Sequence, residues 1–352
     1  MKIKRVLSLF DGLSGGQIAL RKAGFKDFTY YASEIDPYST KVTKHNFPNT
    51  IHLGSVVDVK GSDLPQIDLL IGGSPCQGFS FAGKQLNFDD PRSKLFFEYV
   101  RLLKELKPKY FLLENVKMKQ ESMDVITKEL GVEPIFINSS LVSAQNRQRL
   151  YWTNIPFEMP TDKGILLKDI LEDGFTDREK SYCLDANYFR GGNLKWYFEK
   201  HRRQLIFSND GLCHIGDADI KTFDMNKRVY HSSGKAPALT TMGGGHHEPK
   251  VLVDPVIAQR PRGVNKGGLR ALDGKVSTLS SSSWEQNNFV AYPDTMKWRK
   301  LTVTECERLQ TVPEGYTAMG SDGKKISNTQ RYKMLGNGFT VDVIASILSG
   351  IK

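Results

Sequence analysis

Short apolar runs alternate with amphipathic stretches along the first third of the chain. The runs RVLSLF, FTYYASEI, IDLLIGG and KYFLLENV have the length of strands, and polar or turn residues separate them. Between the last two runs, apolar residues recur every three or four positions and predict one buried helical face: Leu95, Phe96, Tyr99, Leu102, Leu103 and Leu106. Strands that alternate with helices predict an α/β fold with a doubly wound parallel sheet.

The pattern changes near Asp162, where glycine, serine, asparagine and basic residues increase and helical periodicity fades. Two stretches beyond that point resemble each other weakly, Gly234–Val253 and Gly274–Tyr292, and each predicts a strand, a polar loop and a return strand. The final stretch, GNGFTVDVIASILSGI, is helical again. We therefore expect a large α/β domain of residues 1–175 plus 328–352, and a smaller irregular domain of residues 176–327.

The chain carries an excess of positive charge. The chain of 352 residues has 49 lysines and arginines against 39 acidic residues, which gives a net charge of +10. That excess suits a polyanion such as nucleic acid, although a generic basic surface explains the charge equally well. Charge alone therefore leaves the partner open.

Hydropathy argues against a membrane-spanning or secreted protein, and cysteine spacing argues against a zinc-binding one. No apolar run approaches the roughly 18 residues of a membrane span. The apolar part of the amino terminus stops at Asp11 without a small-residue cleavage site, so we expect a cytoplasmic protein with no membrane anchor. The four cysteines are too far apart for a zinc knuckle or a CxxC pair, which predicts no metal site. We expect three of them to be small buried hydrophobes: Cys183, Cys213 and Cys306.

Small and polar residues collect at the predicted carboxyl ends of four strands. Glycines follow the first strand and chemically active side chains follow the others: Gly12, Gly15 and Gly16, then Glu34, Cys76 and Glu114. In an open parallel sheet these ends form one rim, where ligands bind. The glycines and a glutamate about 20 residues on fit the ribose-containing cofactors NAD and S-adenosylmethionine. The glycine spacing is not GxGxxG, and a dehydrogenase has no evident use for Pro75-Cys76-Gln77.

Six motifs together resemble those of the cytosine-5 DNA methyltransferases. LSLFDGLSGG, SEIDP, GGSPCQGFS, ENV, QNRQR and MLGNGF occur in the order and roughly the spacing of that family, and are most similar to its single-chain bacterial and phage enzymes. The resemblance covers both ends of the chain and fails only at about residues 176–295. It implies a Rossmann-like domain that binds S-adenosylmethionine, and a smaller target-recognition domain.

The resemblance also implies the roles of individual residues. The catalytic group would be Cys76 as nucleophile, Glu114 and Arg149 as contacts to the cytosine ring, and Arg147 as their brace. The cofactor would lie against the loop after the first strand, the ends of the next two strands and the carboxyl-terminal motif. Its contacts would be Phe10, Gly12, Gly15, Gly16, Glu34, Ile35, Ser55, Val56, Pro75, Leu95 and Asn337.

The same resemblance implies double-stranded DNA as the substrate and a monomeric enzyme. A cognate restriction endonuclease is a further partner that the family allows. The loop after Cys76 would contact DNA through Gln77, Ser80, Lys84 and Arg92. Loop residues of the target-recognition domain are further candidates for DNA contacts: Thr240, Thr241, Arg260, Arg262 and Thr278.

The implied chemistry explains a cysteine on a proline-bounded loop. Cytosine C5 is a poor nucleophile, and addition of a thiolate at C6 makes C5 reactive enough to take a methyl group. The target base is unreachable inside a duplex and has to be flipped out. A free thiol is only slightly ionised at neutral pH, so nearby arginines or backbone N–H groups would have to favour the thiolate.

One position departs from the family, and three alternative functions stay open. Ser55 stands where the family usually has an acidic residue that contacts the adenine amino group, so we expect weaker or rearranged adenine recognition. The alternatives are cytosine-5 methylation of RNA, a DNA-binding regulator on an inactive scaffold, and a nucleotide-dependent dehydrogenase. Ser74 argues against the RNA branch, which typically has a second proline there, and intact Cys76, Glu114 and Arg149 argue against an inactive scaffold.

Overall fold

The structure is a computed structural model of the chain. It describes residues 3–74, 91–192, 197, 200–208, 214–217, 228–231, 250–252, 256–259, 268–271, 289–290 and 297–351. The described residues divide into two compact units. Unit 1 comprises Met1–Glu172, Thr176–Leu205 and Lys300–Lys352, and unit 2 comprises Asp173–Phe175 and Ile206–Arg299.

A seven-stranded sheet forms the centre of unit 1. Its strands in chain order are β1 (Arg5–Leu9), β2 (Thr29–Ser33), β3 (Ile51–Gly54), β4 (Leu69–Gly72), β5 (Tyr110–Val116), β6 (Ile135–Asn138) and β7 (Gln148–Thr153). Their order in space is β3-β2-β1-β4-β5-β7-β6. The first five strands are parallel, whereas β7 is antiparallel to both of its neighbours. The predicted α/β class with a doubly wound sheet is confirmed, and the antiparallel strand is an addition to it.

The helices of unit 1 begin and end at recognisable signals. They are α1 (Gly15–Lys22), α2 (Pro37–Asn46), α3 (Pro91–Leu106), α4 (Gln120–Leu130), α5 (Val303–Leu309), α6 (Asn328–Asn337) and α7 (Val341–Leu348). Asp36 caps α2 by accepting hydrogen bonds from the N–H groups of Tyr38 and Ser39, each at 3.0 Å. Gly24 follows α1 with φ of 94°, and its N–H bonds to the carbonyl of Arg21.

A core of large side chains on one face of the sheet holds the strands and helices of unit 1 together. Helix α3 contributes the periodic residues predicted from the sequence, and Phe96, Tyr99 and Leu102 are fully buried. They pack with Leu7, Leu70, Phe111, Leu113 and Trp152 from the sheet. At roughly 1.5–3 kcal/mol for each large apolar side chain, this burial is the main force that fixes the strand ends in place.

The carboxyl-terminal segment completes unit 1. Helix α7 packs against α1, and its apolar face is fully buried at Val341, Val343, Ile344, Ile347 and Leu348. Lys22 of α1 also forms an ion pair with Asp342, with 2.6 Å between Nζ and Oδ1. The last turns of the chain therefore lie beside the loop that follows β1.

The units differ from the predicted division at residues 175 and 328. The structure groups residues 176–205 and 300–327 with the sheet because backbone hydrogen bonds tie them there. The Ser181 N–H donates to the carbonyl of Ala144 at 2.7 Å, and the Val341 N–H donates to the carbonyl of Gln310 at 3.0 Å. The compact units therefore have other bounds than the predicted domains, and the predicted division at residues 175 and 328 stays a prediction.

Unit 2 consists of short strands. Antiparallel and parallel pairs join β9 (His214–Asp217), β10 (Arg228–His231) and β11 (Lys250–Leu252) into one sheet. A second sheet contains β12 (Val256–Gln259), β13 (Gly268–Ala271) and β14 (Phe289–Val290), all antiparallel. A two-stranded sheet pairs β8 (Leu205–Ser208) with β15 (Lys297–Lys300), and the strands β9 to β14 lie between these two in the sequence. The predicted repeat lies largely outside the described residues.

In the part of the chain that the structure describes, no helix is both long enough and apolar enough to cross a membrane.

Candidate active site

The order of the strands brings two loops side by side. Strands β1 and β4 are neighbours, and Leu9 lies opposite Gly72 in the register. The chain continues from β1 to β2 on one side and from β4 to β5 on the other, so the strand order reverses between β1 and β4. Ligands of open α/β sheets bind at such a point, beyond the carboxyl ends of the strands. The loops that begin at Phe10 and Gly73 both start there.

The loop after β1 has an unusual backbone. Phe10, Gly12 and Ser14 have φ values of 57°, 58° and 63°, in the left-handed region that residues other than glycine rarely adopt. Gly12 has no heavy atom within 4 Å of the position of a Cβ, so open space lies beside the backbone there. A Cβ on Gly16 would lie 2.6 Å from the Tyr30 hydroxyl oxygen. The three alternating left-handed residues bend the chain sharply before α1 begins.

Glu34 connects this loop to the end of β2. Its Oε2 accepts a hydrogen bond from the Gly12 N–H at 2.7 Å, and its Oε1 accepts from the N–H groups of Ile35 and Asp36 at 2.8 and 2.7 Å. Ile35 beside it is 77% exposed, which is unusual for a large apolar side chain. A glycine loop, a fixed carboxylate and an exposed apolar surface are the groups that a ribose and an adenine ring require.

The end of β3 adds two residues to this rim. The Ser55 hydroxyl oxygen accepts a hydrogen bond from the Val57 N–H at 3.4 Å and caps a single turn of 3₁₀ helix. The side chain of Val56 is buried in the core, whereas that of Val57 is 59% exposed. Of the two valines, Val57 has the accessible side chain, whereas the predicted cofactor contact is Val56.

A buried ion pair lies at the ends of β5 and β7. Arg149 Nε is 2.9 Å from Glu114 Oε1, and both side chains are nearly buried. Val116 is opposite Arg149 in the antiparallel register, which brings Glu114 and Arg149 to the same end of the two strands. Burial is the largest single influence and acts to lower the pKa of Arg149, but Glu114, Cys183 and Tyr151 together outweigh it and raise that pKa above its ordinary value. The pair presents a carboxylate and a cation side by side at the sheet edge.

The chain approaches Cys76 along this pair. Glu114 Oε2 is 3.3 Å from where a Cβ on Gly73 would lie, and a ring carbon of Phe339 is 2.9 Å from the same point. The Asn115 side-chain amide donates to the Ser74 hydroxyl oxygen at 3.1 Å, and both residues are buried. Gly73 therefore fits because nothing larger would, and the last described residues before Cys76 contact β5, the strand that contains Glu114.

Arg147 lies two residues before Arg149 and has different partners. Its guanidinium donates to the carbonyls of Leu184, Gly336 and Gly338, at 2.9 to 3.3 Å. The side chain is almost fully buried, and burial lowers its pKa. These contacts connect the QNRQR motif to the MLGNGF motif, and the role of Arg147 as a brace of the catalytic pair stays a prediction. Arg147 thus positions its neighbours and makes no contact with Glu114 of the ion pair.

A hydrogen-bond network behind Arg147 was not predicted from the sequence. The Ser139 hydroxyl donates to Thr340 Oγ1, which donates to Gln310 Oε1, and Gln145 Nε2 donates to the same Gln310 oxygen. All four residues are buried. Phe339 was also missed, although its place in the MLGNGF motif is a signal that could have identified it. The network fixes the strand that carries Arg149 against the carboxyl-terminal segment.

Three other predicted cofactor contacts, Leu95, Asn337 and Gly15, lie in the described part of the chain. Leu95 packs partly buried against the core of unit 1, and Asn337 is exposed at the last residue of α6. Gly15 lies 3.5 Å from Phe339 at its Cβ position. The other predicted residues fall outside the described part of the chain: Pro75, Cys76, Gln77, Ser80, Lys84, the side chain of Arg92, Thr240, Thr241, Arg260, Arg262 and Thr278.

Two of the other cysteines have different environments. Cys306 is fully buried, as expected, and burial raises the pKa of its thiol. Cys183 is only partly buried, and Arg147 Nη1 lies 3.5 Å from its sulfur, so the expectation of a buried hydrophobe is wrong there. Cys213 falls outside the described residues. Among the described residues, no group of His, Cys, Asp and Glu is arranged to hold a metal ion.

The sequence is similar to those of known proteins. The model of the C-5 cytosine-specific DNA methylases matches residues 4–352. The orphan methyltransferase of Bacillus phage rho11s is 28% identical over 97% of this chain and 96% of its own length. A type II methyltransferase of Lactococcus lactis subsp. cremoris is 34% identical over 50% of this chain and 51% of its own.

Solved structures agree with the fold. The methyltransferase EhMeth of Entamoeba histolytica has a TM-score of 0.61 at 14% identity and covers 99% of this chain and 98% of its own. The Dnmt2 methyltransferase of S. pombe has a TM-score of 0.52 at 17% identity, with 98% and 97% covered. At such identities the likeness shows the fold alone. The family match spans almost the whole sequence, and the chain therefore belongs to the C-5 cytosine-specific DNA methylases and is a DNA methyltransferase.

Proposed function

We propose that the protein transfers a methyl group from S-adenosylmethionine to C5 of a flipped-out cytosine at a specific sequence in double-stranded DNA, with Cys76 as the nucleophile. The observation that carries this proposal is the contact of Gly73 and Ser74 with the strand of Glu114 and Asn115. Only Pro75 separates Ser74 from Cys76, so the Cα of Cys76 can lie no more than about 7.6 Å from that of Ser74, which contacts the strand of Glu114.

The residues at the β1 and β2 ends fit S-adenosylmethionine. Gly12 leaves room for close approach, Glu34 has a fixed carboxylate for the ribose hydroxyls, and Ile35 offers an exposed apolar face to the adenine. Ser55 and Val57 flank the same end of the sheet. When bound there, the cofactor supplies an electrophilic methyl group. The chain's own part is to hold it and to make the cytosine reactive.

The catalytic steps follow from the Glu114–Arg149 pair. The Cys76 thiolate adds to C6 of the cytosine, and Arg149 stabilises the negative charge that develops at O2. Glu114 acts in its acid form and gives a proton to N3, which returns to Glu114 when the thiolate leaves. C5 then takes the methyl group. Loss of the C5 proton to water and departure of the thiolate from C6 restore the aromatic ring and free Cys76. Arg147 takes no part in bond making, and it holds the strand through the carbonyls of Leu184, Gly336 and Gly338.

The middle of the chain is proposed to recognise the DNA sequence. The catalytic motifs all lie outside residues 176–295, and the described residues of unit 2 form short strands that are separate from the sheet of unit 1. Exchange of residues 206–299, the main segment of unit 2, for the matching region of a relative should move the methylated site and keep activity. A chimera that retained the original site would contradict this assignment.

The relatives bear on the biological setting. Four phage proteins that match over nearly the whole chain are named orphan methyltransferases. This favours a solitary enzyme here. Three type II relatives match over only about half the chain, although a putative type II methyltransferase of Bacillus subtilis also matches over 97% of it. Bisulfite sequencing of DNA from an expressing host would give the methylated sequence and the strand positions.

Covalent trapping on that sequence tests the mechanism. Duplex DNA with 5-fluorocytosine at the target should form a stable adduct in the presence of S-adenosylmethionine, because fluorine cannot leave C5 as a cation. Cys76→Ala should abolish the shifted band on a denaturing gel, whereas Cys183→Ala, Cys213→Ala and Cys306→Ala should retain it. Absence of a band with the wild type would contradict covalent catalysis. A tRNA substrate that accepted the methyl group while DNA did not would favour the RNA alternative.

A further inference from the structure

The loop after β1 contains a buried carboxyl group, that of Asp11. The residue is 5% exposed and lies between Phe10 and Gly12, which both have left-handed backbone. Its N–H donates to the carbonyl of Ser33 at 3.1 Å. The Tyr30 hydroxyl donates to Oδ1 at 2.7 Å, whereas the buried Oδ2 has no hydrogen-bond partner in the described part of the chain. The fold thus holds a carboxyl group out of water with one of its two oxygens unused.

A second carboxylate lies beside Asp11. The N–H of Gly12, the next residue, donates to Oε2 of Glu34 at 2.7 Å. Burial is the main reason why the pKa of Asp11 is raised to about 6, and the charge of Glu34 acts in the same direction. Neighbouring hydroxyl groups lower that pKa only in part. At about pH 7 and above, two negative charges therefore lie close together at the ends of β1 and β2.

In the described part of the chain, the titratable groups that face Asp11 are two phenols and the carboxylate of Glu34. Tyr30 of β2 and Tyr316 are buried, and burial raises the pKa of each phenol well above its ordinary value. Tyr316 lies against the same loop, because its hydroxyl donates to the carbonyl of Leu13 at 2.8 Å. These neighbours are neutral or negative, and none of them offers Asp11 a positive charge.

Cations on two helices of unit 1 pair with other carboxylates. Helix α1, which follows the loop, has its basic residues in the last turn, and Lys22 there pairs with Asp342 at 2.6 Å. Lys333 of α6 pairs with Asp36 at 2.9 Å. Asp11 forms no ion pair with another described residue. A cation that binds against the loop would therefore meet a carboxylate whose charge is still unpaired.

We propose that Asp11 is a specificity-determining residue, which makes the site prefer S-adenosylmethionine, with its positive sulfonium, to the product S-adenosylhomocysteine, with its neutral sulfur. This role rests on the proposed function, and it adds to the expected contacts a residue that acts through its charge. A carboxylate that is held out of water without a counter-ion gains more from an incoming cation than a solvated one does. After methyl transfer the attraction is lost, which favours exchange of the product for new cofactor.

Calorimetric titration of both ligands tests this preference with matched variants. Asp11→Asn removes the buried charge. Asp27→Asn makes the same change of net charge at an exposed residue just before β2, at the opposite end of that strand from Glu34. The quantity compared is the Kd of S-adenosylhomocysteine divided by the Kd of S-adenosylmethionine, because the effect of the size of the methyl group cancels between proteins.

The ratio should fall about tenfold in Asp11→Asn, the order expected when one charge is removed several ångströms from another in a partly buried site. It should stay unchanged in Asp27→Asn. An unchanged ratio in Asp11→Asn, with both ligands still bound, would overturn the role of Asp11 and leave the proposed function standing. Failure of the wild type to bind either ligand would contradict the proposed function itself.

The wild type alone provides a second measurement that does not depend on the folding of a variant. A tenfold preference corresponds to a fall of about one unit in the pKa of Asp11 when the cation binds. The ratio should therefore rise about fivefold between about pH 5 and pH 7.5, as Asp11 loses its proton. Near pH 6, titration in buffers of different ionisation enthalpy should show S-adenosylmethionine releasing about 0.4 of a proton more than S-adenosylhomocysteine. Equal proton release by the two ligands would overturn the proposal.

Discussion

Two carboxylates at the same edge of the sheet are stabilised in opposite ways. Glu114, at the end of β5, is paired with Arg149 at 2.9 Å. Asp11, in the loop after β1, is 5% exposed and has no ion pair among the described residues. Its Oδ1 accepts a hydrogen bond from the Tyr30 hydroxyl at 2.7 Å, and its Oδ2 has no hydrogen-bond partner in the described part of the chain. Burial raises the pKa of Asp11 to about 6.

The difference reflects how the two halves of the site are built. Backbone N–H groups, left-handed residues and one hydroxyl shape the region around Asp11 and Glu34, with no cation in contact with either carboxylate among the described residues. Guanidinium groups shape the region around Glu114, through Arg149 and, behind it, Arg147. Neutral contacts suit the part of the site that holds a cationic cofactor, and fixed cations suit the part that stabilises a negative charge on a base.

The largest effect is expected at Arg147. Arg147→Met should lower the free energy of unfolding by about 3 kcal/mol or more, because it leaves buried carbonyls of three residues without their donor. Methyl transfer should fall with stability, since the strand of Arg149 loses its contact with the MLGNGF motif. Chemical denaturation followed by circular dichroism measures the first effect.

Arg147→Lys serves as the matched control. A lysine keeps the charge but can reach fewer of the carbonyls, so its stability should be intermediate. An Arg147→Met protein as stable as the wild type would mean that these contacts do not hold the carboxyl-terminal segment.

Glu114→Gln should separate activity from stability. The amide can still accept a hydrogen bond from Arg149, but it loses the carboxylate that the ring of the cytosine contacts. We expect methylation to fall about 100- to 1,000-fold, which is typical for loss of one stabilising group in the transition state, with a much smaller change in unfolding temperature. Tritium transfer from labelled S-adenosylmethionine measures the rate. The surface ion pair between Lys104 and Glu129, at 2.7 Å, provides the control. Glu129→Gln should change neither the methylation rate nor the unfolding temperature, because Lys104 is 65% exposed.

Much of this arrangement was predictable from sequence because its signals are local. The strands ending at Gly72 and Val116, the helix end before Gly24 and the Asp-Pro start of α2 all follow from spacing and capping within a few residues. The motifs then identified which strand ends carry chemistry. Local pattern and tertiary fold agree in these elements.

The parts that were missed depend on distant partners. Arg147 bonds to residues 37, 189 and 191 positions away in the chain, so no local pattern indicates its contacts. The antiparallel direction of β7 depends on pairing with β5 and β6 at once. The contacts of residues 176–205 with unit 1 likewise depend on a distant partner, because a polar composition says nothing about the carbonyl of Ala144, to which Ser181 donates.

Asp11→Asn tests the unpaired carboxylate through pH. A carboxyl with a folded pKa of about 6 and an unfolded pKa near 3.9 is disfavoured when charged, which lowers the free energy of unfolding at pH 7 by about 3 kcal/mol. This penalty is fully present above about pH 6 and disappears as the pH falls towards 4. The asparagine variant should therefore be more stable than the wild type at pH 7 to 8. Its advantage should vanish near pH 4, as measured by urea denaturation across that range. A constant difference at every pH would show that Asp11 does not titrate in the folded state.

The smallest expected effect is a gain at Ser55. The Ser55 oxygen caps the turn that begins at Val56, at a long 3.4 Å from the Val57 N–H, and aspartate is an equally good cap at such a position. Ser55→Asp should therefore leave the fold unchanged and add a charged acceptor next to the exposed face of Val57, where the adenine amino group is expected to lie. We expect S-adenosylmethionine to bind a few-fold more tightly, by about 0.5–1 kcal/mol for a charged in place of a neutral acceptor at a partly exposed site. Isothermal titration calorimetry measures this, with Ser62→Asp on a nearby exposed turn as the control for added negative charge. Tighter binding in both variants would point to general electrostatic attraction of a cationic cofactor. Tighter binding in neither would mean that the adenine is held by the apolar face of Ile35 and the backbone alone, which would extend the neutral character of the β1–β2 region to the whole cofactor site.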